Sequence, residues 1–201
     1  MLPFPQQVTA VILPSEVQPI HTKRLILRPL QDGDAAGIFA IRSRPETVNF
    51  LFPKIPESSI EQTRAWMTKK IITDPDASGA TGRHFEFVLI QRDDPEEQIV
   101  GVVGVNGLVP APSVGYGVHP DFWGRGYAGE ALQGLIKAWW ELPRKDNIVQ
   151  DDGVKEKLYA ASNCDNVGSI KVLRKNGFQI YDKVPMEGET VAMMYLVKPE
   201  L

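Results

Sequence analysis

The stretch HPDFWGRGYAGEAL, His119–Leu132, decides how the chain is read. Its glycines are spaced G-x-G-x-x-G, at Gly124, Gly126 and Gly129. Before it stands the strand-like SVGYGV, Ser113–Val118. After it, Ala128, Leu132, Leu135, Ile136, Trp139 and Trp140 recur at helical spacing until Pro143. A dinucleotide fingerprint needs its first glycine almost directly after the strand and an acidic residue about 20 positions on for the ribose. Here His-Pro-Asp-Phe-Trp intervenes, Pro120 blocks strand continuation, and Asp151 and Asp152 fall in a polar loop. No G-K-[ST] follows, so the phosphate-loop pattern fails too. What remains is a glycine-rich turn opening a helix. Two readings stay open: amides converging on an anion at the positive helix end, or glycines that only permit the turn.

Outward from this stretch, alternation predicts short strands. The first covers Lys23–Arg28 and stops at Pro29, and a helix follows from Asp32 or Asp34 to Arg42, broken by Pro45. The segment from Ser43 to Glu57 reads as irregular, with Phe50, Leu51 and Phe52 lining a pocket or plugging the core. Ser58-Ser59-Ile60-Glu61 has the pattern of a capping box opening a helix to about Thr73. Phe85–Gln91, Gln98–Val105 and Ser113–Val118 then read as a meander, and Gly115 and Gly117 mark a bulge or a close backbone approach. Past the polar loop Arg144–Gly153 come a fifth strand (KLYAAS), a helix from Asp165 or Asn166 to Lys175 closed by Asn176-Gly177, and two last strands. Meanders with inserted helices are α+β, or mixed α/β, and not a doubly wound parallel sheet.

Composition narrows the function. The chain has 201 residues, read as an N-terminal extended arm over 1–19 and a single domain over 20–201. A net charge of −3 with no dense basic run argues against nucleic acid. The N-terminus lacks a basic n-region and is interrupted by Pro3, Pro5, Pro14 and Pro19, so neither a signal peptide nor a membrane partner is expected. The single cysteine, Cys164, points to a reducing compartment and a cytoplasmic location.

A second constellation, NCDNVGSIKVLRKNGF, carries the order Asn-x-x-Ser-x-x-Val-Leu-x-x-x-Gly-Phe. With it the sequence resembles the GNAT acetyltransferases, and more closely their RimJ/RimL-like branch, which acetylates ribosomal-protein N-termini. The family's acyl-CoA motif falls on Trp123-Gly124-Arg125-Gly126-Tyr127-Ala128, and the opening TKRLILRPL is similar as well. Trp123 stands where many relatives have Gln or Arg. The resemblance implies a central, twisted, mostly antiparallel sheet of about seven strands, splayed between the fourth and fifth and flanked by about four helices. It also implies acetyl-CoA as co-substrate, no metal, and direct transfer to a primary amine on a peptide or small molecule, by a monomer or homodimer.

Site roles follow from the same resemblance. Amides of Gly124, Arg125, Gly126, Tyr127, Ala128 and Gly129 would face the pyrophosphate, and Tyr116, Gly117 and Val118 would pair with pantetheine like an added strand. The Val118 amide would hold the oxyanion, a kind of donor worth ~3 kcal/mol. Asn166 would bond the pantetheine arm or merely cap its helix. Ser169, one turn on, would protonate the leaving thiolate or be a plain polar residue. For the base, Glu86, Tyr116, His84 and His119 are near enough in sequence. Glu86 is preferred because it alternates with Phe85 and Phe87, while His119 before Pro120 reads as structural. Cys164 lacks an evident His partner, which favours direct over covalent transfer. Deprotonating a lysine at pH 7 costs roughly 4–5 kcal/mol and an α-amine only about 1.4, so a weak base suits α-amines. Two other readings remain: a non-catalytic acyl-CoA-binding domain acting as sensor or scaffold and, more remotely, an NAD(P)-dependent oxidoreductase.

Overall fold

A computed structural model describes residues 2–50, 54–145 and 155–200. Leu51, Phe52 and residues 146–153 of the long loop lie outside the described residues. In chain order the elements are β1 (Ile20–His21), β2 (Leu25–Pro29), α1 (Ala35–Arg42), α2 (Pro45–Val48), α3 (Ile60–Thr68), β3 (Phe85–Gln91), β4 (Ile99–Val105), β5 (Val114–Val118), α4 (Tyr127–Glu141), β6 (Lys157–Asn163), α5 (Val167–Lys175), β7 (Gln179–Met186) and β8 (Glu189–Val197). Strands β1 to β5 form one antiparallel sheet in sequence order, and β6-β8-β7 form a second.

Strand β3 is buried from Phe85 to Ile90 because helices cover both of its faces. Phe85, Phe87 and Leu89 join Leu132, Leu135 and Trp139 of α4 in the main core, where the Phe85 ring meets Phe87 and Trp139 edge-on. Val88, Ile90 and Val102 face the other way, onto Ala35, Ile38 and Met67 from α1 and α3. Glu86 is the one charged residue in this strand, and it is 1% exposed. Burying such a group costs several kcal/mol unless something compensates, which marks it for the site. The N-terminal arm also packs in: Val11 and Leu13 belong to the main core, and Ile12 N–H donates to the Pro143 carbonyl at the end of α4.

The mixed, splayed architecture is as expected. Local departures have physical causes. Pro45 starts α2 rather than only breaking α1, because a helix start leaves an N–H unused that proline lacks anyway. Helix α3 stops at Thr68, not near Thr73, because Ile72 is pulled into the main core and bridges Arg83. At its start Ser59 makes no side-chain cap bond, and Gln62 Oε1 accepts the Ser58 N–H instead. The β4–β5 register is unbroken, so Gly115 and Gly117 make no bulge there; a register shift falls in β3, between Leu89 and Ile90. No helix among the described residues is long and apolar enough to cross a membrane.

Candidate functional site

The two sheets meet where β5 and β6 begin. Ser113 and Tyr159 form a parallel bridge, and Tyr159 N–H donates to the Pro112 carbonyl at 2.9 Å. Beyond it the strands part and a cleft opens between Val114–Val118 and Ala160–Asn163. Hydrogen-bond phase says which groups face it. His119 N–H bonds Val100 O and Asn106 N–H bonds Ser113 O, each at 2.8 Å. Alternate residues, Gly115 and Gly117 among them, therefore exchange bonds with β4. The main-chain groups of Tyr116 and Val118 point the other way, into the cleft. The Val118 carbonyl accepts the Trp123 indole N–H at 2.6 Å. Trp123 thus acts as a brace on the end of β5.

Gly124 and Gly126 hold φ of +74° and +80°, the left-handed region that costs other residues strain. Gly126 is the N-cap of α4, whose first-turn amides have no partner within the helix. The turn is tied down from β2's side. Arg24 bonds Glu130 at 2.7 Å, donates to the Arg125 carbonyl at 2.8 Å and lies 5.0 Å over the Tyr127 ring. Burial works against charge on Glu130, but bonds from Thr22 and Arg24 outweigh it and hold its carboxyl below the usual range. Gly124, Gly126, Tyr127, Ala128 and Gly129 all line the cleft. The Arg125 side chain does not: it folds back over the Phe122 ring, 4.9 Å away, and donates to the Asp121 carbonyl.

Across the cleft, Asn166 Oδ1 caps α5 by accepting the Ser169 N–H at 2.9 Å. Ser169 Oγ lies 2.8 Å from the Tyr116 hydroxyl, which burial pushes up to about 12. Asn166, Ser169, Tyr116, Gly117 and Val118 all line the cleft, as does Glu86 further in. Of the residues expected to hold the cofactor, the Arg125 side chain stands apart.

The inner end of the cleft is framed by residues the sequence did not single out. Lys70 Nζ lies 3.4 Å from Glu86 Oε1, donates to Asn106 Oδ1 at 2.7 Å and sits 4.5 Å over the Trp66 ring. Arg42 stacks on the same ring at 4.4 Å and pairs with Glu57. Burial pushes the Glu86 carboxyl above the usual carboxylate range, while Lys70 and Arg42 oppose the rise. Its Oε2 is buried without a hydrogen-bond partner among the described residues. Gly104 must lack a side chain here, since a Cβ would lie 2.0 Å from Glu86 Oε2. Gly104 and Gly115 stand in register beside Glu86, with the Glu86 carboxylate over Gly104 and the Asn106 side-chain amide over Gly115.

The other titratable candidates are placed elsewhere. His84 lines a separate groove with Arg28 and Pro14, and burial pushes its imidazole down. His119 accepts from Asp121 N–H and caps a short 3₁₀ turn. Cys164 is half-buried against the main core. Among the described residues no cluster of His, Cys, Asp or Glu is arranged to hold a metal. The cleft encloses about 2560 Å³, well beyond the 300–1,000 Å³ usual for one small ligand, so it has room for two substrates side by side.

A splayed pair of strands, a glycine turn opening a helix between them and a capped helix opposite together frame this cleft. The comparisons place the arrangement in a family. Residues 24–179 match the model of the acetyltransferase (GNAT) domain. The chain is 27% identical over 166 residues to the "Uncharacterized N-acetyltransferase p20" of Bacillus licheniformis, covering 81% of this chain and 83% of that one. A GNAT-family acetyltransferase from Bacillus anthracis superposes with a TM-score of 0.67 at 17% identity, covering 91% of this chain and all of that one. RimL, the ribosomal L7/L12 alpha-N-protein acetyltransferase, solved with coenzyme A, superposes with a TM-score of 0.65 at 18% identity, over 90% and 98% of the two chains. The chain belongs to the GNAT acetyltransferase family.

Proposed function

We propose that this protein transfers an acetyl group from acetyl-CoA to a primary amine by direct attack, with a peptide or protein α-amine as the favoured acceptor. The observation that carries the reading is the wedge itself. The main chain of Tyr116 and Val118 faces an opening flanked by the glycine turn and by Asn166.

In this reading the pyrophosphate rests on the amides from Gly124 to Gly129, at the positive end of α4. Pantetheine extends β5 along Tyr116–Val118, and the Asn166 side chain meets it from α5. The Val118 N–H holds the carbonyl oxygen as charge develops there. Glu86 receives the acceptor's ammonium and takes its proton, directly or through one water, a contribution typically worth 10²–10⁴-fold. Burial raises the affinity of its carboxyl for protons, which makes it a stronger base than an ordinary carboxylate. The amine's lone pair attacks the thioester carbon, and the C–S electron pair leaves on sulfur. Ser169 Oγ–H supplies the proton to sulfur, balanced by the second proton lost from nitrogen. The α-amine preference rests on its cheaper deprotonation, and RimL's action on a protein N-terminus is consistent with it.

Thermal unfolding with CoA, acetyl-CoA and NADH in parallel, followed by turnover on peptides with either a free α-amine or only a lysine amine, tests the reading. At 100 times Kd a ligand adds about 2.7 kcal/mol, a rise of roughly 5–11 °C for a domain of this size. The CoA ligands alone should give this rise, and the α-amine peptides should turn over faster. A rise without turnover of any amine would leave an acyl-CoA-binding module, and a rise with NADH alone would overturn the reading altogether.

A further inference from the structure

We infer that Tyr116 is the positioning residue of the proton donor: its phenol holds the Ser169 hydroxyl so that the serine proton is directed into the cleft. The inference rests on the assignment of Ser169 as donor to the leaving sulfur.

A serine hydroxyl has one proton and two acceptor sites. If it gives that proton to a neighbour it has none for sulfur. Among the described residues, Ser169 Oγ has one hydrogen-bond partner, the Tyr116 hydroxyl 2.8 Å away, so the direction of this bond decides whether the serine is armed. The phenol also has a single proton, with two acceptors in reach. These are Ser169 Oγ at 2.8 Å and the Ser169 carbonyl at 3.2 Å. The carbonyl lies inside α5, whose ladder brings it the N–H of the residue four positions on. The hydroxyl oxygen is nearer and has no such claim on it. The phenol proton therefore settles on Oγ and leaves Oγ–H free to turn toward the cleft that Ser169 lines.

Two further features make Tyr116 fit this task. Burial keeps its pKa at about 12, so it retains its proton over any working pH and donates throughout. Its main chain faces the same cleft from β5, while Asn166 Oδ1 fixes the Ser169 N–H from the other side. One residue thus links the cofactor's seat on β5 to the donor on α5, across the gap between the sheets. Without the phenol, the serine hydroxyl would rotate freely, and much of its population would point away from sulfur.

The test is a double-mutant cycle on the full chain. It uses acetyl-CoA and a peptide with a free N-terminal α-amine, with CoA thiol release as the readout. Tyr116→Phe keeps the ring and loses only the hydroxyl. It should lower kcat about 5- to 20-fold and leave the KM for acetyl-CoA within about twofold. In the Ser169→Ala background the same change should have no further effect on kcat. Ser169→Thr, which keeps a hydroxyl, should restore sensitivity to Tyr116→Phe. An unchanged kcat in Tyr116→Phe would overturn the inference, and so would a loss that multiplies undiminished onto Ser169→Ala, since that pattern marks a structural role. If Ser169→Ala itself leaves kcat unchanged, the donor assignment falls and this inference with it. If Ser169→Ala is slow but Tyr116→Phe is not, only the inference falls.

Discussion

At the scale of one residue, Glu86 carries a stability cost at the position where the proposed mechanism needs a base. Its carboxyl is buried, one oxygen faces Lys70 and the other has no partner among the described residues. Burial raises its pKa in the folded state, with Lys70 and Arg42 opposing. A carboxyl whose folded pKa lies above its unfolded one favours folding at low pH, and that contribution is lost as pH rises through the folded value. The wild-type protein should therefore lose urea stability as pH climbs from the unfolded carboxylate pKa through the raised value, and Glu86→Gln should lack that component. In the proposed mechanism the carboxylate is the active form, so activity should show the opposite trend. The acid limb of the wild-type kcat/KM profile should lie above the usual carboxylate range, and Glu86→Gln should abolish the limb and lower kcat by about 10²–10⁴-fold. Two titrations, one by urea midpoint and one by initial rate, check both halves. A limb that survives in Glu86→Gln would remove this residue from the mechanism.

At the scale of elements, the glycines separate into two kinds with different mutational signatures. Gly104 lies in β4 under the Glu86 side chain, where an added Cβ would also come within 2.7 Å of the Glu86 Cα. Gly104→Ala should thus push two strands apart and lower stability by about 1–3 kcal/mol, seen as a reduced urea midpoint. Gly129 sits in the first turn of α4 with open space where its Cβ would go. Gly129→Ala should raise stability by about 0.5–1 kcal/mol while raising the KM for acetyl-CoA, because the methyl enters the cleft beside the amides proposed to hold the pyrophosphate. If both stability and KM stay at wild-type values, Gly129 is outside the cofactor seat.

The same distinction explains what could be read from the chain. The glycine turn, β5 and the capped α5 are each local: spacing, a proline and an Asn cap are written within about 15 residues. The inner wall is not. Lys70 reaches Glu86 and Asn106 only because α3 ends early, and that ending is set by burial of Ile72 and not by any local stop signal. Tyr116 and Ser169 are 53 positions apart, and Trp123 was legible as a departure from its relatives but not as a brace on Val118. α1 does end before Pro45, but α2 lies inside a segment that reads as irregular, because the same proline that closes one helix can open the next.

For the whole molecule, the decisive fact is that two antiparallel sheets are joined by a single strand-to-strand bridge between Ser113 and Tyr159, among the described residues. The main core runs beneath this junction, with Val105 and Val114 from one sheet and Leu158 and Ala160 from the other, so the halves cannot separate freely. At the open end, however, the β5 edge has no strand beside it. A ligand that completes this edge should act on the two sets of β5 amides differently. Gly117 and His119 donate to β4 whether or not the cleft is filled. Tyr116 and Val118 face the opening, so their exchange should slow only when acetyl-CoA supplies acceptors and excludes water. Amide exchange with and without acetyl-CoA should therefore show ligand-dependent protection at alternate residues of β5, together with slower exchange in the first turn of α4. Uniform protection of the whole strand would mean that the cofactor stiffens the sheet from outside, and no change at Tyr116 and Val118 would mean that the gap between the sheets is not where the thioester lies.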